Sequence, residues 1–222
     1  ETQMLAELYV RLNKPEGAFP YLYKLLREGY SFSRIENNEI LGTLIGTPEW
    51  GKLKADAPAI ENEFQENINN ELRQEILAMK AEDQRVRQGD IDWALLEKTD
   101  SLHEARIKEI ITQFGYPNPE LVGHGYFQER PTEISTMLMH FNDTSWFKSR
   151  LTELIKKGKA PAGISAQMID SRRRSTGKYI YGIYRNADSS EIKNFENIDS
   201  RRLSVGLRPW EMQQEYWELK EL

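Results

Sequence analysis

Three groups of residues in this 222-residue chain have the types and spacing to do chemistry. The first is Asp83 and Arg87, four positions apart, which a helix sets on one face as a pair. Exposed, such a pair contributes about a few tenths of a kcal/mol; buried, it belongs to a network or a site. The second is an internal echo. Residues 169–177 (IDSRRRSTG) and 198–206 (IDSRRLSVG) agree at seven of nine positions. A mechanical reading covers part of it: the glycine stops a helix, and arginines in a last turn suit the negative end of its dipole. A chemical reading covers the rest. Arg172, Arg201 and Arg202 offer planar forks to a carboxylate or phosphate, and Asp170 and Asp199 orient them. The third is His140, which follows Met137-Leu138-Met139 and precedes Phe141. That setting predicts partial burial, where a histidine is either a hydrogen-bonded core group or an acid–base near neutral pH. His103 lies among charges, and His124 lies between glycines in a loop.

Other chemistries lack their residues. The chain has no cysteine, so disulfides, thiolate metal sites and a cysteine nucleophile are excluded. No two histidines have metal-ligand spacing, and there is no H-E-x-x-H, so no metal is expected. There is no Walker loop, no G-x-G-x-x-G after a strand and no G-x-S-x-G, and no cofactor is expected. The net charge of −5 argues against a general nucleic-acid binder. It is unevenly spread: residues 160–209 hold nine Lys/Arg against five Asp/Glu, a basic stretch on an acidic chain. No apolar run approaches the roughly 18–20 residues that cross a bilayer.

The elements that would carry these groups are mostly helical. Residues 4–12 and 18–28 form a helical hairpin across the turn Asn13-Lys14-Pro15-Glu16-Gly17, with Gly29 as a stop. Its small and aromatic contact residues resemble one tetratricopeptide-type unit. Residues 33–45 are helical, and Thr47-Pro48 starts a short helix with Thr47 as cap. Residues 55–58 read as a linker, which divides the chain into a helical subdomain over 1–57 and a second domain over 58–222. Beyond the linker, Ile60, Phe64, Ile68, Leu72 and Ile76 recur every four residues, one stripe on a long helix over 59–88. Further helices are expected over 101–114, 132–140, 145–157 and 161–175. Residues 120–130 are a loop or short helix. The alternating KYIYGIYR at 178–185 suits a strand, with 192–197 as an antiparallel hairpin partner. Asp199 caps a short helix that ends at Gly206, before an aromatic tail at 210–217. The fold class expected is mainly α, with one small antiparallel β element near the C-terminus.

The order of these motifs resembles a bacterial family catalogued as domain of unknown function 6624. The residues that carry the resemblance are Asp83-Gln84 with Arg87, Gly115-Tyr116-Pro117, Val122-Gly123 and His140. After them come Asp170 with its following arginines, Tyr181-Gly182, and Asp199, Arg201, Arg202, Gly206 and Leu207. It covers residues 67–209. Met139 and Tyr179 stand where that family usually has glutamine. The family has no established activity; its members often carry a leader peptide or helical repeats ahead of the domain. The resemblance therefore implies two parts and a periplasmic or secreted protein. A start at Glu1 rather than Met fits a leader that has been removed, and equally a shortened cytoplasmic protein.

Two functions follow as expectations. One is a non-catalytic envelope module that binds a small anionic ligand or a protein partner through Arg87, Arg172, Tyr181, Asp199, Arg201 and Arg202. The other is a hydrolase or transferase with His140 as base, Arg172 or Arg201 holding the developing anion, and Asp83 or Asp170 orienting the histidine.

Overall fold

The computed structural model describes residues 2–123, 132–174, 176–185 and 187–219. Among them are twelve α-helices, joined by short turns and 3₁₀ segments. No helix is long and apolar enough to cross a membrane. The chain forms two compact units. One comprises Glu1–Ala78 with Pro117–Glu133; the other comprises Met79–Tyr116 with Ile134–Leu222. The division expected at 57/58 is therefore not where the chain separates. Residues 55–58 lie inside a helix, Pro58 included.

The first unit begins with α1 (Thr2–Arg11) and α2 (Phe19–Arg27), the hairpin expected from the sequence. Ala6 and Ala18 are fully buried and let the two helices approach, while Tyr9 stacks on Tyr21 at 5.6 Å. After α3 (Phe32–Glu36) comes α4 (Pro48–Asn67), whose cap is Thr47, accepting from the Trp50 amide at 3.2 Å. Trp50, Leu53 and Ala57 of α4 join Leu22, Leu25 and Leu26 of α2 in one core. The Tyr23 hydroxyl donates to Asp56 at 2.6 Å. A proline inside a helix removes one hydrogen bond and favours a break. Here packing on both sides of Pro58 outweighs that preference.

The long helix expected over 59–88 is instead two. Residue Ile68 is extended (φ −91°, ψ 158°), and three asparagines around it close the broken ends. Asn67 and Asn70 donate to the Glu63 and Gln65 carbonyls at 2.9 and 2.7 Å, and Asn69 accepts from the Leu72 amide at 3.0 Å. Asparagine side chains satisfy helix-end groups well, and a four-residue apolar stripe carries no information about such a break. The second helix, α5 (Asn70–Arg85), follows. The first unit is completed by α7 (Pro119–Val122), where buried Arg73 donates to the Val122 carbonyl at 2.7 Å. The remainder of the stretch expected at 120–130, with His124, lies outside the described residues.

In the second unit, α6 (Trp93–Phe114) starts at Asp92, whose carboxylate caps the Ala94 and Leu95 amides at 3.0 and 3.1 Å. The helix thus begins two turns earlier than expected. Around it lie α8 (Ser135–Leu138), α9 (Thr144–Lys156) and α10 (Ile164–Ser171), with α8 against α6 and α10, and α9 against α10. Ile107, Ile110, Phe141, Phe147 and Leu151 are fully buried. The chain ends in α11 (Ile198–Ser204) and α12 (Trp210–Leu219), so the aromatic tail is helical.

The expected β-hairpin over 178–185 and 192–197 is absent among the described residues. All that remains is one isolated bridge, Tyr179 with Ile192, and it is parallel. The reason is where the backbone groups of the segment go. The amides of Ile180, Tyr181 and Ile183 donate to the Asp170 carboxylate at 2.8 to 3.3 Å. The carbonyls of Ile180, Tyr181 and Gly182 accept from Arg201 and Arg202 at 2.6 to 3.2 Å. Side chains occupy the positions a neighbouring strand would take, so an alternating sequence forms no sheet.

Candidate functional site

The echoed aspartates and arginines are not equivalent in space. In the first copy the aspartate is buried: Asp170 is 0% exposed, whereas Arg172 and Arg173 lie at the surface. In the second copy the arginine is buried: Arg202 is 1% exposed, whereas Asp199 lies at the surface. The two buried groups clamp the same segment, Asp170 by its amides and Arg202 by its carbonyls. Arg202 also donates to the Arg208 carbonyl at 2.8 Å and lies 5.6 Å over the Trp210 ring. Arg201 donates through Nε, Nη1 and Nη2 to the Ile180, Asn194 and Lys193 carbonyls. Asp199 accepts from the Trp210 amide at 2.7 Å and so starts α12 rather than capping α11. Tyr181 is a core residue, packed with Ala166 and Val205. Gly182 completes the clamp. Its φ is +59°, and a Cβ there would lie 2.3 Å from Trp210 Cζ3, so both conformation and space require glycine. Burial pushes the Asp170 carboxyl up, against the opposing pull of its amide hydrogen bonds, and lowers the Arg202 guanidinium.

The remaining expected residues gather elsewhere in the second unit. Arg87, just past the end of α5, reaches two buried carboxylates. Its Nη2 donates to Asp100 Oδ1 at 2.6 Å, and its Nη1 lies 2.9 Å from Asp83 Oδ1. The second contact is an ion pair too bent for a hydrogen bond, because Nη1 points to the Asp83 carbonyl at 3.0 Å. Asp83 is 1% exposed, and its Oδ2 accepts from Gln84 at 2.8 Å. The i, i+4 pair read from the sequence is thus a buried triplet of two carboxylates and one guanidinium.

His140, at the end of the turn after α8, and Arg172, at the end of α10, face the same place. Together with Arg87, Asp100, Ile91, Trp93, Leu96 and Met139 they line an open cavity of about 410 Å³. Its polar groups retain capacity. Arg172 donates through Nη1 to the Phe141 and His140 carbonyls and through Nη2 to Asn142 Oδ1. That leaves Nε–H and one Nη2–H, donors that a carboxylate can accept from. Asp100 gives Oδ1 to Arg87, and its Oδ2 has no protein partner. The His140 ring nitrogens have none either. The wall is apolar, and Trp93 is 71% exposed at its edge.

Two residues that the sequence reading passed over belong here. Asp100 and His103 lie three apart on α6. His103 is buried beside the triplet, and its Nδ1 has no hydrogen-bond partner. Their i, i+3 spacing was visible. A helix expected over 101–114 leaves Asp100 outside, and the charged neighbours of His103 in sequence give no sign of its burial. Burial is the main cause that lowers the pKa of both His103 and His140; the carboxylates of Asp83 and Asp100 oppose it, and the Arg87 charge reinforces it. Both shifts favour the neutral imidazole. Among the described residues, no three His, Asp or Glu side chains converge as a metal site does.

The nine residues singled out from the sequence thus divide. Asp83, Arg87, His140 and Arg172 come together around the cavity and its floor, while Asp170, Tyr181, Asp199, Arg201 and Arg202 form the separate clamp. No family model, curated protein or solved structure matches this chain.

Proposed function

We propose that this protein binds a small anionic ligand with an apolar body in the cavity of its second unit. The observation that carries this reading is the Arg172 edge with two unused N–H donors, set on a cavity whose wall is Ile91, Trp93, Leu96 and Met139. A guanidinium fork fixes a carboxylate, and apolar surface supplies affinity for the rest of the molecule. Arg87 contributes less to the anion, because Asp83 and Asp100 already surround it. The acid–base alternative draws less support. Of its three groups, Asp170 has its carboxylate engaged by backbone amides, which leaves His140 with Asp83 alone.

The test is calorimetric titration with 3-phenylpropionate, which joins one carboxylate to a flat apolar group. Binding is expected, and it weakens as salt rises from about 0.01 M to about 0.15 M, because the site is open and the charge on Arg172 is screened. Absence of binding at both salt concentrations removes this reading.

A further inference from the structure

The same cavity holds a second charge that the anion reading leaves idle. Asp100 is 8% exposed, and its Oδ1 is fixed by Arg87. Its Oδ2 has no hydrogen bond from the protein, although the residue lines the cavity. On a residue this buried, a carboxylate with one oxygen fixed by a neighbour and the other without a protein partner beside a cavity is a binding group for a donor that carries positive charge. The balance of charge points the same way. Asp83 and Asp100 outnumber Arg87 by one, so the buried triplet carries a net charge of −1. Arg172 carries +1 on another part of the wall, and burial favours the neutral form of His140. The cavity is therefore dipolar rather than positive.

We infer that the ligand is a zwitterion: a small molecule whose carboxylate meets Arg172, whose ammonium meets Asp100 Oδ2, and whose apolar body lies on Ile91, Trp93, Leu96 and Met139. An amino acid with a large apolar side chain has this chemistry. A bare anion does not complete the site, because it leaves the Asp100 oxygen facing apolar ligand atoms without a donor, and an unmatched buried charge opposes binding. The inference rests on the anion reading above, since the carboxylate contact is common to both.

Three ligands on the wild-type protein separate the contributions: 3-phenylpropionate with the carboxylate alone, phenethylamine with the ammonium alone, and L-phenylalanine with both. L-Phenylalanine is expected to bind about tenfold or more tightly than 3-phenylpropionate, the scale of one charge-assisted hydrogen bond. Asp100→Asn should erase that factor while 3-phenylpropionate still binds. Because the comparison is made first on the unaltered chain, it stands even if the variant fails to fold. Equal affinity for L-phenylalanine and 3-phenylpropionate overturns the zwitterion and leaves the anion reading in place; so does a tenfold gain that survives Asp100→Asn. Failure of both carboxylates to bind overturns the anion reading with it, as does phenethylamine binding as tightly as L-phenylalanine. A series of longer zwitterions, such as 5-aminopentanoate, reads the distance between the two charges. If every member binds no better than its carboxylate-only analogue, the Asp100 contact is absent.

Discussion

The second unit holds two clusters built from the same residue types, and they use their charges in opposite ways. Around residues 180–183, the Asp170 carboxylate and three N–H groups of Arg201 end on backbone amides and carbonyls, and buried Arg202 donates to three further carbonyls. Around Arg87, the carboxylates and guanidinium satisfy one another only in part. One Asp100 oxygen, two Arg172 donors and the His140 ring are left without protein partners. A charged cluster whose side chains end on backbone groups holds a loop; the same residue types turned towards a cavity form a site. Residue type alone does not distinguish the two.

The sharpest way to break the comparison is to remove a clamp. Asp170→Ala strips the acceptor from the Ile180, Tyr181 and Ile183 amides, and Arg202→Met strips the donors from three carbonyls. Each is expected to destabilise the protein by about 3–5 kcal/mol, as removal of one partner from a buried charged network does. Urea denaturation followed by circular dichroism measures it. Losses below about 1 kcal/mol in both variants would mean that the segment is not held by these side chains.

Exchanging the positions of the damage sharpens the contrast at smaller magnitude. Arg172→Gln lies at the surface and should cost less than about 1 kcal/mol, yet lower the affinity for 3-phenylpropionate at least tenfold. Arg201→Gln leaves three carbonyls without donors, costs about 1–3 kcal/mol, and leaves the affinity unchanged. If Arg172→Gln retains full affinity, the two arginines play the same structural role and the distinction drawn here fails.

The smallest effect is in pH. His103 and His140 both have pKa values below the ordinary 6.5 because burial disfavours their charged forms. Below pH 6.5 the unfolded chain takes up protons that the folded chain resists, so their contribution to stability is complete above 6.5. It is lost as pH falls through the lower folded values. Asp170 acts in the opposite sense, because burial raises it: its contribution is present below the ordinary carboxylate range and lost as pH rises through the folded value. The decline below pH 6.5 should become shallower in His103→Gln, read as urea midpoints across that range. An unchanged slope would place the titrating group elsewhere.

Local rules made much of this protein legible. The Thr47-Pro48 start, the α1–α2 hairpin and the glycine after α6 each follow from side chains that act on their own neighbours. The same holds for the expectation that Asp83 and Arg87 pair, which i, i+4 geometry dictates. What failed were statements that need a partner distant in sequence. KYIYGIYR alternates as a strand does, but strand formation requires a second backbone alongside, and Asp170, Arg201 and Arg202 occupy that position. The stripe from Ile60 to Ile76 keeps helical spacing across Asn67–Asn70, because hydrophobic period is blind to an asparagine break.

The sequence by itself determined the helical class, some of the helix ends and the set of residues able to carry charge, because each depends on contacts within a few positions along the chain. Only the tertiary structure decided which of those charges are used up. Burial and long-range hydrogen bonding assign Asp170 and Arg202 to a loop 10–21 residues away. The same forces bring Asp100, from a helix whose start was misjudged, to Arg87 and into the wall that His140 and Arg172 share. Desolvation and partner geometry arise only when distant segments meet, and they, rather than the order of residues, separate a binding group from a structural one.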